Sequence, residues 1–231
     1  MASSKRMPVL VAAAILSLLT RLSAGEESPL SDLLSRIESY YRASPGITAD
    51  FEQTLESRTL SRPLQETGSV SLKPPGRMRW EYVKPRGKVA ITDGAHAYLY
   101  LPEDEQVFIG RIQDLDRGAV ASGLLLGTTS LRRDFRVEGE RLGEEGERWL
   151  LKLTPRVPDF PYDLVTLEVE HRSGAIRRIL LLDPLGNRIE YRFNHLRVVR
   201  NLPDRLFAYR IPKGVDVQVL REEPGVSASP P

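Results

Sequence analysis

The stretch "MRWEYVKP", Met78 to Pro85, places Met78, Trp80 and Tyr82 on one side of a period-2 alternation and Arg79 and Glu81 on the other. Successive side chains of a strand point to opposite faces, so this reads as a half-buried strand with a largely aromatic inner side. Whether that side meets a packed core or the wall of a cavity depends on what surrounds it.

Strand formers and turn residues recur on both sides. Upstream, "ITADFEQTLES" alternates Ile47, Ala49, Phe51 and Gln53, and "ETGSVSLKPPG" stops at Pro74, Pro75 and Gly76. Downstream, "KVAITDGAHAYLYLP" holds Asp93-Gly94 between two runs of strand formers, a strong hairpin signal, and "EQVFIG" follows after "PEDE". Together these predict an antiparallel meander. The pattern then changes. "DLDRGAVASGLLLGTTSLRRDF" lacks alternation and predicts short helices over about 114–126 and 128–134, broken at Gly127 and Thr128. Strands resume with "RWLLKLTP", "DLVTLEVEH", "AIRRILLLD", "RIEYRFNHLRV", "LFAYRI" and "VDVQVL".

A single helix precedes the strands. Ser28 is its expected N-cap, Pro29 suits the first helical position and Asp32 complements the dipole. Leu30, Leu33, Leu34, Ile37, Tyr40 and Tyr41 form one apolar stripe, ended by "SPG" at 44–46. About eleven evenly spaced strands imply a barrel or a strongly curved sheet. Such a sheet buries its apolar side only by curling, and the N-terminal and mid-chain helices are its expected cover.

The first residues stand apart from this fold. Lys5 and Arg6, the apolar run Val9 to Leu19 and small residues ahead of an acidic start have the layout of a secretory signal peptide, expected over 1–24. The run is shorter than the roughly 20 residues a membrane span needs. Residues 25–220 are expected to form one domain, and 221–231, without a substantial apolar segment, a loose tail. Losing 1–24 removes Lys5, Arg6 and Arg21 from 33 basic residues and none of the 31 acidic ones, leaving a net charge of −1. That balance gives no electrostatic case for nucleic acid. The absence of cysteine means stability without disulfides, and no lipid-modified N-terminal cysteine.

Catalytic signatures are missing. His96, His171 and His195 lie far apart and outside metal-binding motifs, and there is no G-x-S-x-G elbow, P-loop or G-x-G-x-x-G. No enzyme activity, metal or cofactor is expected.

Several pieces, in order, resemble one family: Phe51-x-Gln53, the run from Gly68 to Pro85, Asp93-Gly94 with "YLYLP", "LLLG" at 124–127, "DPLGN" at 183–187 and "IPKGVDV" at 211–217. This set resembles the periplasmic lipoprotein carrier protein LolA family across about 30 to 220. The resemblance implies a mainly β fold with an α lid, an open, unclosed antiparallel barrel whose concave apolar side is covered by helices. It implies a periplasmic monomer that takes acylated lipoproteins from an inner-membrane ABC transporter of the Lol type. Delivery would be to the outer membrane, through a LolB-type acceptor where one exists. The alternative it leaves open is a lipid- or lipoprotein-sensing regulatory module of the periplasm.

The implied lipid-binding residues are Phe51, Met78, Trp80 and Tyr82 on the first strands, Tyr98 and Tyr100 on the second strand of the hairpin, and Leu124 and Leu125 in the lid. One departure concerns the latch. Family members often carry an arginine, which helps hold the lid closed, where this chain has Pro74; Lys73, Arg77 and Arg79 are the nearby candidates to replace it.

Overall fold

A computed structural model describes residues 28–111, 120–143, 146–158 and 160–220. The expected leader (1–24), the expected tail (221–231) and residues 114–119 of the first expected lid helix lie outside the described residues.

Helix α1 runs Pro29–Ala43, and the Ser31 N–H donates to the Ser28 side chain at 3.2 Å, as the capping pattern requires. Its stripe of Leu33, Leu34, Ile37 and Tyr41 is buried, and the Tyr41 hydroxyl accepts from the Ile176 N–H at 3.0 Å, tying the helix to the sheet. Six strands follow: β1 (Ile47–Glu56), β2 (Leu64–Lys73), β3 (Arg77–Lys84), β4 (Val89–Asp93), β5 (His96–Leu101) and β6 (Gln106–Arg111). Helices α2 (Val120–Leu126) and α3 (Leu131–Asp134) come next, then β7 (Phe135–Leu142), β8 (Arg148–Pro155), β9 (Leu164–Glu170), β10 (Ile176–Leu182), β11 (Arg188–Val198) and β12 (Asp216–Val219). Among the described residues no helix is long and apolar enough to cross a membrane.

The twelve strands form one open sheet in the order β12-β6-β5-β4-β3-β2-β1-β11-β10-β9-β8-β7. Its inner face follows from the register. Met78, Trp80 and Tyr82 pair with Leu72, Val70 and Gly68 on β2, and Ile47, Ala49 and Phe51 continue the same face on β1. On the other half, Leu151, Leu153, Val165, Leu167 and Ile179 belong to the same buried cluster, which also holds the apolar stripe of α1 and most of α2. Helices on a curved sheet are thus the outcome, as the alternation predicts.

Three features differ from the sequence expectation. The strand β7 is not anticipated, because its inner positions read Phe135, Val137, Gly139 and Arg141. Gly139 has to be small: a Cβ there would lie 2.8 Å from Leu30 Cδ1 and 2.9 Å from Leu151 Cδ2. Arg141 instead lays its guanidinium over the Trp149 ring at 5.3 Å. Conversely, "LFAYRI" is not a strand. Residues 199–215 form a strap across the outer face, with a 3-10 turn at Asp204–Phe207 that contacts β3 and β4. Phe207 and Tyr209 alternate inward as strand residues would, but the segment makes no ladder. Finally, β12 joins β6 in parallel, so the sheet is antiparallel everywhere except at this edge.

A lidded apolar cavity as the candidate functional site

Between the inner face of β3–β6 and α2 lies a cavity of about 420 Å³. Met78, Trp80 and Tyr82 line it from β3, Ala90 and Thr92 from β4, Leu99 from β5 and Phe108 and Gly110 from β6. The lid contributes Ala121, Ser122, Gly123 and Leu126, and Tyr191 and Leu220 complete the wall. Among the described residues none on this wall carries a charge. Its polar atoms are largely neutralised within the protein. The Trp80 Nε1–H points at Met78 Sδ, 3.0 Å away, and the Thr92 hydroxyl donates to the Gly76 carbonyl at 2.8 Å. Burial pushes the Tyr82 and Tyr191 hydroxyls well above the usual tyrosine value, with the Glu66 carboxylate adding to the effect, so both stay neutral.

Beyond Tyr82 the wall ends in charge. Glu66 is buried and accepts two hydrogen bonds from Lys88 Nζ, at 2.7 and 2.8 Å, while that ammonium lies 4.3 Å over the Tyr82 ring. A paired charge of this kind costs far less to bury than a lone one.

Of the residues singled out from sequence, Met78, Trp80 and Tyr82 meet on the cavity wall. Phe51 stands behind them, edge-on to Trp80 with ring centroids 4.7 Å apart. Leu124 and Leu125 lie on α2 itself and are buried in the core, and neither is on the wall. Tyr98 and Tyr100 fall on the opposite face of the sheet. They pair with Ile91 and Val89 on β4, whereas the inner residues Thr92 and Ala90 pair with Ala97 and Leu99. Tyr98 borders the cavity from its strand, but its ring turns outward to Tyr209, 5.3 Å away.

Sequence reasoning missed Leu99, Phe108 and Tyr191. In "AYLYL" both faces are apolar, so alternation could not choose between them. The turn could have: a two-residue hairpin at or beside Asp93-Gly94 pairs even-numbered residues of β4 with odd-numbered ones of β5, which selects Ala97 and Leu99.

The lid is held by unequal means. In α3, Arg132 Nη2 donates to the Ser31 carbonyl at 2.5 Å, the Ser31 hydroxyl at 3.0 Å and the Ser35 hydroxyl at 2.9 Å, all on α1. Among the described residues no side-chain hydrogen bond or ion pair joins α2 to the sheet; Val120, Ala121, Leu124, Leu125 and Leu126 hold it by burial. Gly127, at φ +66°, turns the chain out of α2, and the Thr128 and Thr129 N–H groups close on the Gly123 carbonyl. Pro74, Pro75 and Gly76 face this end of α2 across a second hollow of about 360 Å³. The candidate replacements for a latching arginine all point elsewhere. Lys73 donates to the Leu202 carbonyl, Lys73 and Arg77 both reach Asp204, and Arg79 reaches the Leu206 carbonyl, so all three hold the outer strap. The Lys73 hydrogen bond, with the charges of Arg77 and Lys73, holds the Asp204 carboxyl below its ordinary value.

Comparison with known proteins agrees with this architecture. A family model described as "Outer membrane lipoprotein carrier protein LolA" matches residues 42–210. The chain is 32% identical over 217 residues to the outer-membrane lipoprotein carrier protein of Pseudomonas putida (strain W619), covering 92% of this chain and 97% of that one. It is 33% identical over 186 residues to the outer-membrane lipoprotein carrier protein of Methylococcus capsulatus, covering 79% and 86%. An uncharacterized conserved protein from Thermus thermophilus superposes with a TM-score of 0.52 at 18% identity, over 83% of this chain and 99% of that one, a likeness of fold alone. On the family match and these identities, the chain belongs to the LolA family of outer membrane lipoprotein carrier proteins.

Proposed function

We propose that this protein is a periplasmic carrier that shields the acyl chains of lipoproteins in the cavity under α2. It accepts them from an inner-membrane ABC transporter of the Lol type and passes them toward the outer membrane, to a LolB-type acceptor where one exists. Residues 1–24 serve as the export signal, and the carrier acts as a monomer, without a cofactor and without a covalent step. The observation that carries this reading is an uncharged, mostly apolar wall, with Trp80, Tyr82, Phe108 and Tyr191 on it, roofed by a helix that among the described residues is held to the sheet by burial alone. The relatives named as lipoprotein carriers give the cargo its class.

Magnitudes set how it works. Each buried methylene is worth about 0.8 kcal/mol, so an anchor of about 40 methylenes would cost on the order of 30 kcal/mol to expose. Net affinity of that size is unnecessary; transfer between apolar sites only has to be nearly balanced. A cavity of roughly 150 Å³ takes a benzene-sized ligand, so about 40 carbons need on the order of 1,000 Å³. The closed cavity, about 420 Å³, holds less than half of that. Loading therefore displaces α2, whose apolar side and the wall it covers each exchange one apolar contact for another.

The test is to purify the protein from the periplasm of cells making a tagged lipoprotein and weigh the intact complex by native mass spectrometry. A one-to-one complex that requires the cargo's acyl chains, and that is lost in Phe108→Glu, is expected. Free phospholipid alone would turn the reading toward a lipid-sensing module, and retention undiminished in Phe108→Glu would remove the cavity from it.

A further inference from the structure

The outer face of the sheet is treated differently on its two halves. Across β8–β11 and β1 most charges cancel in pairs: Arg178 with Glu168 and Glu190, Arg188 with Glu56, and Arg148 with Glu168. The end of β11 and the strap, which runs from the start of β1 to the outer side of β3 and β4, bring Arg197, Arg200, Arg205, Arg210 and Lys213 to the surface. All five are exposed, and none makes a side-chain hydrogen bond or ion pair among the described residues. The one acid between 197 and 213, Asp204, is already shared by Lys73 and Arg77. The strap is also two-sided. Leu202 and Phe207 are buried against the sheet, while Val198 and Ile211 stand 51% and 42% exposed among the cations.

We propose that this strap is a docking surface for an anionic phospholipid bilayer. The chain as a whole is nearly neutral without its leader, so the attraction is local. Unpaired cations spaced along a segment with apolar tips between them suit a fluid interface, where lipid headgroups rearrange to meet each charge and short apolar side chains enter the headgroup layer. An acidic protein partner would have to supply fixed carboxylates at the same irregular intervals. The position is apt as well. The strap leads into β12, at the edge beside β6, whose Phe108 and Gly110 line the cavity, and Leu220 just beyond β12 is on its wall. A protein seated on the strap brings that rim of the cavity to the lipid surface. This goes beyond the carrier reading and does not depend on cargo.

The experiment is flotation of the full chain with phosphatidylcholine vesicles, with and without phosphatidylglycerol. Binding is expected only to the anionic vesicles, and it should fade as salt shortens the range of the attraction. Each cation near an anionic bilayer is worth roughly fivefold in partitioning, so Arg200→Gln, Arg205→Gln and Arg210→Gln combined should lower binding by about a hundredfold. Far-UV circular dichroism checks that the triple variant is folded. Arg188→Gln with Arg192→Gln, which removes two charges from the paired half, should leave binding within a few-fold. Absence of flotation, equal binding to neutral vesicles, or an equal loss in the Arg188/Arg192 control would each overturn the proposal. Absence of flotation together with capture by a polyglutamate peptide would assign the surface to an acidic protein instead.

Discussion

The rings of Phe51 and Tyr82 meet edge to face with centroids 5.0 Å apart, although a whole strand separates β1 from β3. The strand between them contributes only Gly68, which pairs with Phe51 on one side and Tyr82 on the other. Its missing side chain is what lets Phe51 reach across and support the cavity wall. A Cβ at this position would lie 2.1 Å from the Glu81 carbonyl oxygen and 2.8 Å from Phe51 Cε1. Backbone does not yield easily, so Gly68→Ala should cost about 3 kcal/mol or more in urea denaturation. A change within about 0.5 kcal/mol would show that the rings do not depend on this gap.

Leu99 and Tyr100 are adjacent in sequence and face opposite sides of β5. Leu99→Glu places a carboxylate on the uncharged wall and should weaken binding of a fluorescent fatty acid by about tenfold or more. Tyr100→Phe, on the outer face, should leave it unchanged. Equal effects would mean that the register does not decide which residues meet the ligand.

Arg132→Ala removes the three hydrogen bonds from α3 to α1 and should lower stability by about 1 kcal/mol. Amide hydrogen exchange should quicken in α3 and the start of α1 and stay unchanged in α2, which lacks such a tie. Faster exchange across α2 as well would mean that the two lid helices move as one piece.

The Trp149 Nε1–H donates to His171 Nδ1 at 3.1 Å, a contact that needs an unprotonated Nδ1. Burial, aided by the charges of Arg36, Arg141 and Arg172, lowers the His171 pKa below its ordinary 6.5. The native state therefore resists a proton that the unfolded chain accepts, so stability falls as pH drops from 6.5 toward the lower folded value. In a Trp80→Phe protein, Trp149 emission should titrate with a midpoint below 6.5 and lose that step in His171→Gln. A midpoint at or above 6.5 would contradict the assignment.

Much of this molecule could be read without coordinates because local rules and the global fold agree. Ser28-Pro29 and the stripe from Leu33 to Tyr41 define α1, and Met78, Trp80 and Tyr82 define the inner face of β3. The failures occur where one pattern serves two purposes. Gly139 and Arg141 disguise β7 because the inner face there must accommodate Leu30, Leu151 and Trp149. Phe207 and Tyr209 imitate a strand because the strap also has an inside and an outside. Tyr98 and Tyr100 attract attention as aromatics, yet a strand covered on both sides has no polar face to reveal which way they point. Tyr191 comes from a distant strand, and only the curl of the sheet brings it to Trp80, with ring centroids 5.6 Å apart.

The strap has one more consequence. Ile91 and Val107, on the outer face of β4 and β6, are almost fully buried, as is Phe207 of the strap. The strands that make the cavity wall are therefore braced from behind by a small second core, set apart from the main buried cluster under the helices. A wall supported only by its own roof would slacken whenever the roof lifted. Here the back of the sheet helps keep β3–β6 in register, so the pairing of these strands does not rest on the roof alone.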